Sequence, residues 1–82
     1  MQANLKQAVL YAADCTAANF SSAELEGAKL SSVNFFRATF ERANLVNANL
    51  SKSNCYEVEF LEANVVGAIL EGAILDGSKL KK

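Results

Sequence analysis

The stretch Ala43-Asn44-Leu45-Val46-Asn47-Ala48-Asn49-Leu50-Ser51-Lys52 carries the triplet Ala-Asn-Leu twice, five residues apart. Extending that spacing both ways from Leu45 gives Leu5, Leu10, Cys15, Phe20, Leu25, Leu30, Phe35, Phe40, Leu45, Leu50, Cys55, Phe60, Val65, Leu70, Leu75 and Leu80, sixteen apolar residues without an insertion. Two residues before each of these centres stands a smaller side chain: alanine in twelve repeats, Ser53 and Ser78 in two, and Val33 and Val58 in the other two. The remaining three positions of each five are mostly polar. A period of five matches neither the 3.6 of an amphipathic helix nor the 2 of a strand, so one regular element would scatter the centres over its whole surface. The backbone must therefore turn once per repeat, burying the large centre and the small residue before it.

The triplets Ala3-Asn4-Leu5, Ala18-Asn19-Phe20, Ala43-Asn44-Leu45 and Ala48-Asn49-Leu50 resemble the A-(N/D)-(L/F)-x-x unit of the pentapeptide repeat family, and the resemblance covers essentially the whole chain. It implies an all-β fold, a right-handed quadrilateral β-helix with four repeats per coil, and hence about four coils. At the ladder spacing of about 4.8 Å they would stack into a rod about 19 Å long. Residues 1–82 then form a single pentapeptide repeat domain.

The residues support a twenty-residue coil on their own account. In that register the interior columns read Leu5, Leu25, Leu45, Val65; Leu10, Leu30, Leu50, Leu70; Cys15, Phe35, Cys55, Leu75; and Phe20, Phe40, Phe60, Leu80. Three of the five phenylalanines fall in one column, where stacked rings make a favourable interior ladder. Asn4, Asn19, Asn34, Asn44, Asn49, Asn54 and Asn64, with Asp14, stand just before their centres. Asparagine and aspartate bond nearby backbone in turns, so these residues are expected to stabilise corners and to pair between coils. Asn19-Phe20-Ser21 and Asn49-Leu50-Ser51 also fit the glycosylation pattern, but no secretory signal accompanies them.

Composition narrows the chemistry. A domain of 82 residues buries only about two-thirds of its unfolded surface, which leaves little room for a deep cleft. Histidine, tryptophan and proline are absent, removing the usual general base and the commonest metal ligand. Cys15 and Cys55 share a column two coils apart, about 9.6 Å, with Phe35 between them, too far for a disulfide. They read as small core residues in a reducing compartment. Glu57, Glu59 and Glu62 lie on outer positions, with Arg37 and Arg42 one coil below Glu57 and Glu62, an arrangement that reads as surface ion pairing. We expect no enzyme activity and no cofactor or metal.

Nine acids stand against eight bases, and no basic stripe with interleaved aromatics appears, so nucleic acid is not an expected partner. The longest apolar runs fall far short of the roughly 20 residues that cross a bilayer, so the chain is expected to be cytoplasmic, with no membrane partner. The informative residues are apolar side chains at outward positions: Phe36 and Tyr56 in one outer column, Leu61 around the adjacent corner, Val46 and Val66 as a second pair, and Ile69 and Ile74 at Asn positions of the last coil. These form the candidate protein-interaction surface. The ends are a second one, because open β-edges need cover. Lys79, Lys81 and Lys82 are expected to blunt one edge, and a homodimer through a coil end, or further repeats of a longer protein, to cover an edge.

The leading functional expectation is a noncatalytic structural or protein-protein interaction module with an unidentified protein partner. The resemblance also implies an alternative, a DNA-mimicking protein that binds gyrase-type topoisomerases. That class needs a long acidic rod. Residues 1–78 hold nine acids and five bases, on a short rod without a projecting loop.

Overall fold

The computed structural model describes residues 4–78 and Leu80. After each centre the chain turns: the Leu5 carbonyl accepts from the Ala8 N–H at 2.9 Å, and the same bond recurs at every repeat through Leu75 and Ser78. The residue two past each centre has a positive φ, from 55° at Glu57 to 74° at Gly77, while the residue before it does not, which is the signature of a type II turn. Only Gly27, Gly67, Gly72 and Gly77 fill that position with glycine. Eleven other residues, Arg37, Arg42 and Glu57 among them, hold the left-handed conformation with a side chain attached, at a cost of about 1 kcal/mol or more each.

Two sets of bonds hold the chain in these turns. The side-chain oxygens of Asn4, Asp14, Asn19, Asn34, Asn44, Asn49, Asn54 and Asn64 each accept from the N–H two residues on, at 2.9–3.3 Å. Thr39 and Glu59 do the same for Glu41 and Leu61. The second set joins coils. The N–H groups of Leu5 and Gln7 donate to the carbonyls of Glu24 and Glu26, and the Lys29 N–H donates back to the Ala8 carbonyl. The eleven β-bridges among the described residues are all parallel and pair residues twenty apart. The described residues thus form a quadrilateral solenoid of four coils, residues 4–23, 24–43, 44–63 and 64–78 with Leu80, with one repeat on each wall.

The interior follows the columns. Phe20, Phe40 and Phe60 stack at 5.2 and 5.5 Å between ring centroids, and Phe35 meets Phe40 edge-on at 4.9 Å. Side chains that depart from alanine at the small position leave visible traces. Ser53 Oγ donates to the Leu50 carbonyl at 2.7 Å and sits 3.3 Å from Cys55 Sγ, so its buried hydroxyl is satisfied. The bulk of Val33 accompanies the longest turn bond among the described residues, 3.4 Å to Leu30. Burial is complete only in the middle: Leu25, Leu30, Phe35, Leu45 and Leu50 are sealed, whereas centres of the first and last coils, such as Leu5, Leu10, Val65 and Leu70, are half-buried. The principal extents of 26 × 23 × 22 Å explain this, since a solenoid as wide as it is tall offers ends as large as its walls.

Two predictions follow from this architecture. Leu45→Asp would put an unpaired carboxylate into the sealed interior, at a cost of several kcal/mol, and is expected to abolish the β-type circular dichroism and the cooperative melt, whereas Ser31→Asp on the outer surface leaves both near wild type. A native-like melt for Leu45→Asp would refute the interior assignment. At the corners, a Cβ on Gly77 would stand 2.9 Å from Glu57 Cγ at a φ of 74°, so Gly77→Ala should lower stability by more than about 1 kcal/mol. Ala12→Gly, at a φ of 62°, should instead raise it by up to about 1 kcal/mol in denaturant titration.

Candidate functional site

The solenoid carries three outward positions per repeat, so any site must be built from outer columns twenty residues apart. Phe36 and Tyr56 share such a column and stack with ring centroids 5.4 Å apart and planes within 4°. The Arg37 guanidinium lies 5.3 Å from the Phe36 centroid and donates to Glu57 Oε1 at 2.8 Å. Phe36 is therefore half-covered, and Tyr56 is the exposed ring of the pair. Leu61 stands on the next wall of the same coil, past the corner, and is exposed. Around it are Glu59 and the pairing of Arg42 with Glu41 at 3.3 Å and Glu62 at 3.6 Å. These ion pairs are solvent-exposed and contribute at most about 1 kcal/mol each.

The other predicted surface residues do not join this patch. Val46 is half-buried, and Val66 above it is 70% exposed on a different wall. Ile69 and Ile74 are each about half exposed, on separate walls of the last coil. With Val66 they form an apolar collar around that coil rather than a lateral face. The sequence reading missed Val9 and Tyr11, both 66% exposed on the first coil. The signal was present in the outer column Val9, Lys29, Asn49, Ile69, which is apolar at its two ends. Beside Val9 and Tyr11 lies an open recess of about 470 Å³, bordered by Lys29, Asn47 and Asn49, where Gly27 presents no side chain between Gln7 and Asn47. Lys79, Lys81 and Lys82, expected to blunt an edge, lie outside the described residues.

The titratable groups bear on stability more than on chemistry. Burial raises the pKa of the Cys55 thiol, and burial together with the neighbouring Asp14 charge raises that of Cys15, so both are protonated and poorly nucleophilic at neutral pH. Both are free thiols. Cys15 is only half-buried, because no coil covers it on one side. The Thr16 hydroxyl and then the Thr16 N–H bond the Asp14 carboxylate and hold its pKa below the ordinary 3.8.

The family model for pentapeptide repeats matches in eight copies over residues 1–35 and 38–77. The chain belongs to the pentapeptide repeat family. Solved pentapeptide repeat proteins superpose closely. Rfr23 from the cyanobacterium Cyanothece 51142 aligns at a TM-score of 0.86 and 31% identity, over 87% of this chain and 48% of that one. A protein of the Arabidopsis thaliana thylakoid lumen aligns at 0.92 and 25%, over 99% and 55%. A third, from Nostoc Pcc 7120, aligns at 0.83 and 30%, over 84% and 57%. The chain thus spans about half the length of these pentapeptide repeat structures, and its coil is the right-handed quadrilateral β-helix they share. No curated protein matches its sequence.

Asp14 supplies the pH prediction. A carboxyl whose pKa is lowered on folding contributes stability above its unfolded pKa, and that contribution is lost as pH falls through the folded value. Wild type should therefore lose melting temperature relative to Asp14→Asn, which keeps the turn acceptor without the charge, only on acidification from about pH 5 to pH 2. Parallel melting curves for the two proteins over that range would contradict the assignment.

Proposed function

We propose that the chain is a noncatalytic protein-interaction module that holds its partner on the wall and corner carrying Tyr56 and Leu61. The observation that supports this is the Phe36–Tyr56 stack, a partly exposed aromatic pair fixed in place by the inter-coil ladder beneath it. Rigid, partly exposed aromatics on a regular scaffold lose little entropy on binding and serve well as anchors. Leu61 extends the apolar contact, and Glu59 borders it, so a partner segment with an apolar residue beside a basic one suits the surface. The duplex-mimicking alternative gains nothing from this wall, because Arg37 and Arg42 neutralise Glu57 and Glu62 where the acids are densest.

A noncatalytic role suits a convex surface on which the carboxylates are solvated and the thiols protonated. The free thiols Cys15 and Cys55 suit a reducing, cytoplasmic setting.

Tyr56→Ser with Leu61→Ser should abolish retention of a lysate protein that the immobilised wild-type chain captures, while Val66→Ser on another wall leaves it unchanged. Identical capture by the wild type and the double variant would remove this surface as the contact.

A further inference from the structure

The corner that carries the Phe36–Tyr56 stack holds its own example of how a cation is bound. The Arg37 guanidinium lies 5.3 Å from the Phe36 centroid and donates to Glu57 Oε1, one coil above, at 2.8 Å. An aromatic ring and a carboxylate on the next coil thus share one guanidinium. The same two parts recur one step higher. The Arg37 N–H donates to the Tyr56 carbonyl at 2.9 Å and the Glu57 N–H to the Asp76 carbonyl at 2.8 Å, so the ladder sets Asp76 over Tyr56 as it sets Tyr56 over Phe36. With ring planes within 4°, Tyr56 has one face against Phe36 and turns the other toward the coil that carries Asp76. At this step the chain supplies no arginine of its own: Glu57 follows Tyr56 where Arg37 follows Phe36. Tyr56 and Asp76 are both exposed, and Asp76 forms no ion pair among the described residues.

We propose that this second position takes an arginine side chain of the partner, its guanidinium laid on the free face of Tyr56 and forked onto the Asp76 carboxylate. The inference rests on the lateral site proposed above and names what the partner inserts there. Arginine fits better than lysine. Its planar guanidinium stacks on a ring and offers two parallel N–H donors to a carboxylate, whereas an ammonium is a compact, strongly hydrated point charge. The local charge favours the same choice, because Arg37 is already bonded to Glu57 and leaves Asp76 for an incoming cation.

The probe is Nα-acetyl-arginine amide, titrated into the 82-residue chain while its backbone amide resonances are followed. Tyr56, Glu57 and Asp76 should shift saturably in the millimolar range, as suits one exposed cation–π contact and one exposed ion pair. Tyr56→Leu and Asp76→Asn should each weaken this binding about threefold. Tyr56→Phe, which keeps the ring, and Glu71→Gln, an exposed carboxylate at another corner, should leave it unchanged, and all four variants should keep the wild-type circular dichroism melt. The citrulline analogue, planar but neutral, should give no saturable shift, and the lysine analogue a weaker one. Equal binding of citrulline and arginine, binding indifferent to Asp76→Asn, or no saturable shift with arginine would each overturn the proposal. Failure of the lateral site itself looks different. Lysate capture that survives Tyr56→Ser with Leu61→Ser removes that site, whereas capture lost in the double variant but undiminished in Asp76→Asn removes only the arginine contact.

Discussion

Every feature of this molecule depends on the backbone bonds between coils, which require residue n to lie against residue n+20. A chain that turns every five residues forms no internal ladder within one coil, so beyond the single turn bond of each repeat and the N–H groups taken by side-chain acceptors, its backbone groups find partners in the coil above or below. That constraint fixes the turn. Each corner must return the backbone to the same plane geometry, and the left-handed residue two past each centre does so even where arginine, lysine or glutamate stands there. The strain of eleven non-glycine residues in that conformation is tolerable because the ladder and the side-chain acceptors before the centres hold the corners from both sides.

The register also decides what the surface can be. Outer residues are presented as columns, and chemistry arises only where a column brings two of a kind together. Phe36 meets Tyr56 and Arg37 meets Glu57 for that reason, while Ile69 and Ile74, on different walls, never meet. The same rule separates sides from ends. With four coils the ends are as large as the walls, and the incomplete burial of Leu5, Leu10, Val65 and Leu70 concentrates there, away from the aromatic pair.

Much of this was legible in the residues, because a period of five with alternating large and small interior positions admits few backbones. The phenylalanine column at 20, 40 and 60, the spacing of Cys15 from Cys55 by Phe35, and the pairing of Arg37 with Glu57 all follow from counting by twenty. The corner conformation was not legible. Gln7, Ala12, Arg42 and Lys52 give no sign of a positive φ, since the ladder rather than local propensity imposes it. Exposure was legible only in part: Val46 and Phe36 face outward yet are half-covered by neighbours, while Val9 and Tyr11 stand clear because Gly27 leaves the corner beside them bare. Asparagine was read as a corner residue, and its role proved to be acceptance from the N–H two residues on, with the pairing between coils confined to contacts such as Asn54 with Asn34.

Residue-resolved amide hydrogen exchange, at a concentration where single copies predominate, tests the twenty-residue ladder most directly. The ladder predicts slow exchange at Leu25, Gly27, Leu30 and Ser32, interrupted by fast exchange at Glu26 and Ser31, whose N–H groups have no acceptor among the described residues. It also predicts a polarity between the ends, with the N–H groups of Leu5 and Leu10 protected by the second coil and those of Leu70 and Leu75 unprotected. Protection that alternates with a period of two, or that is equal at both ends, would contradict it.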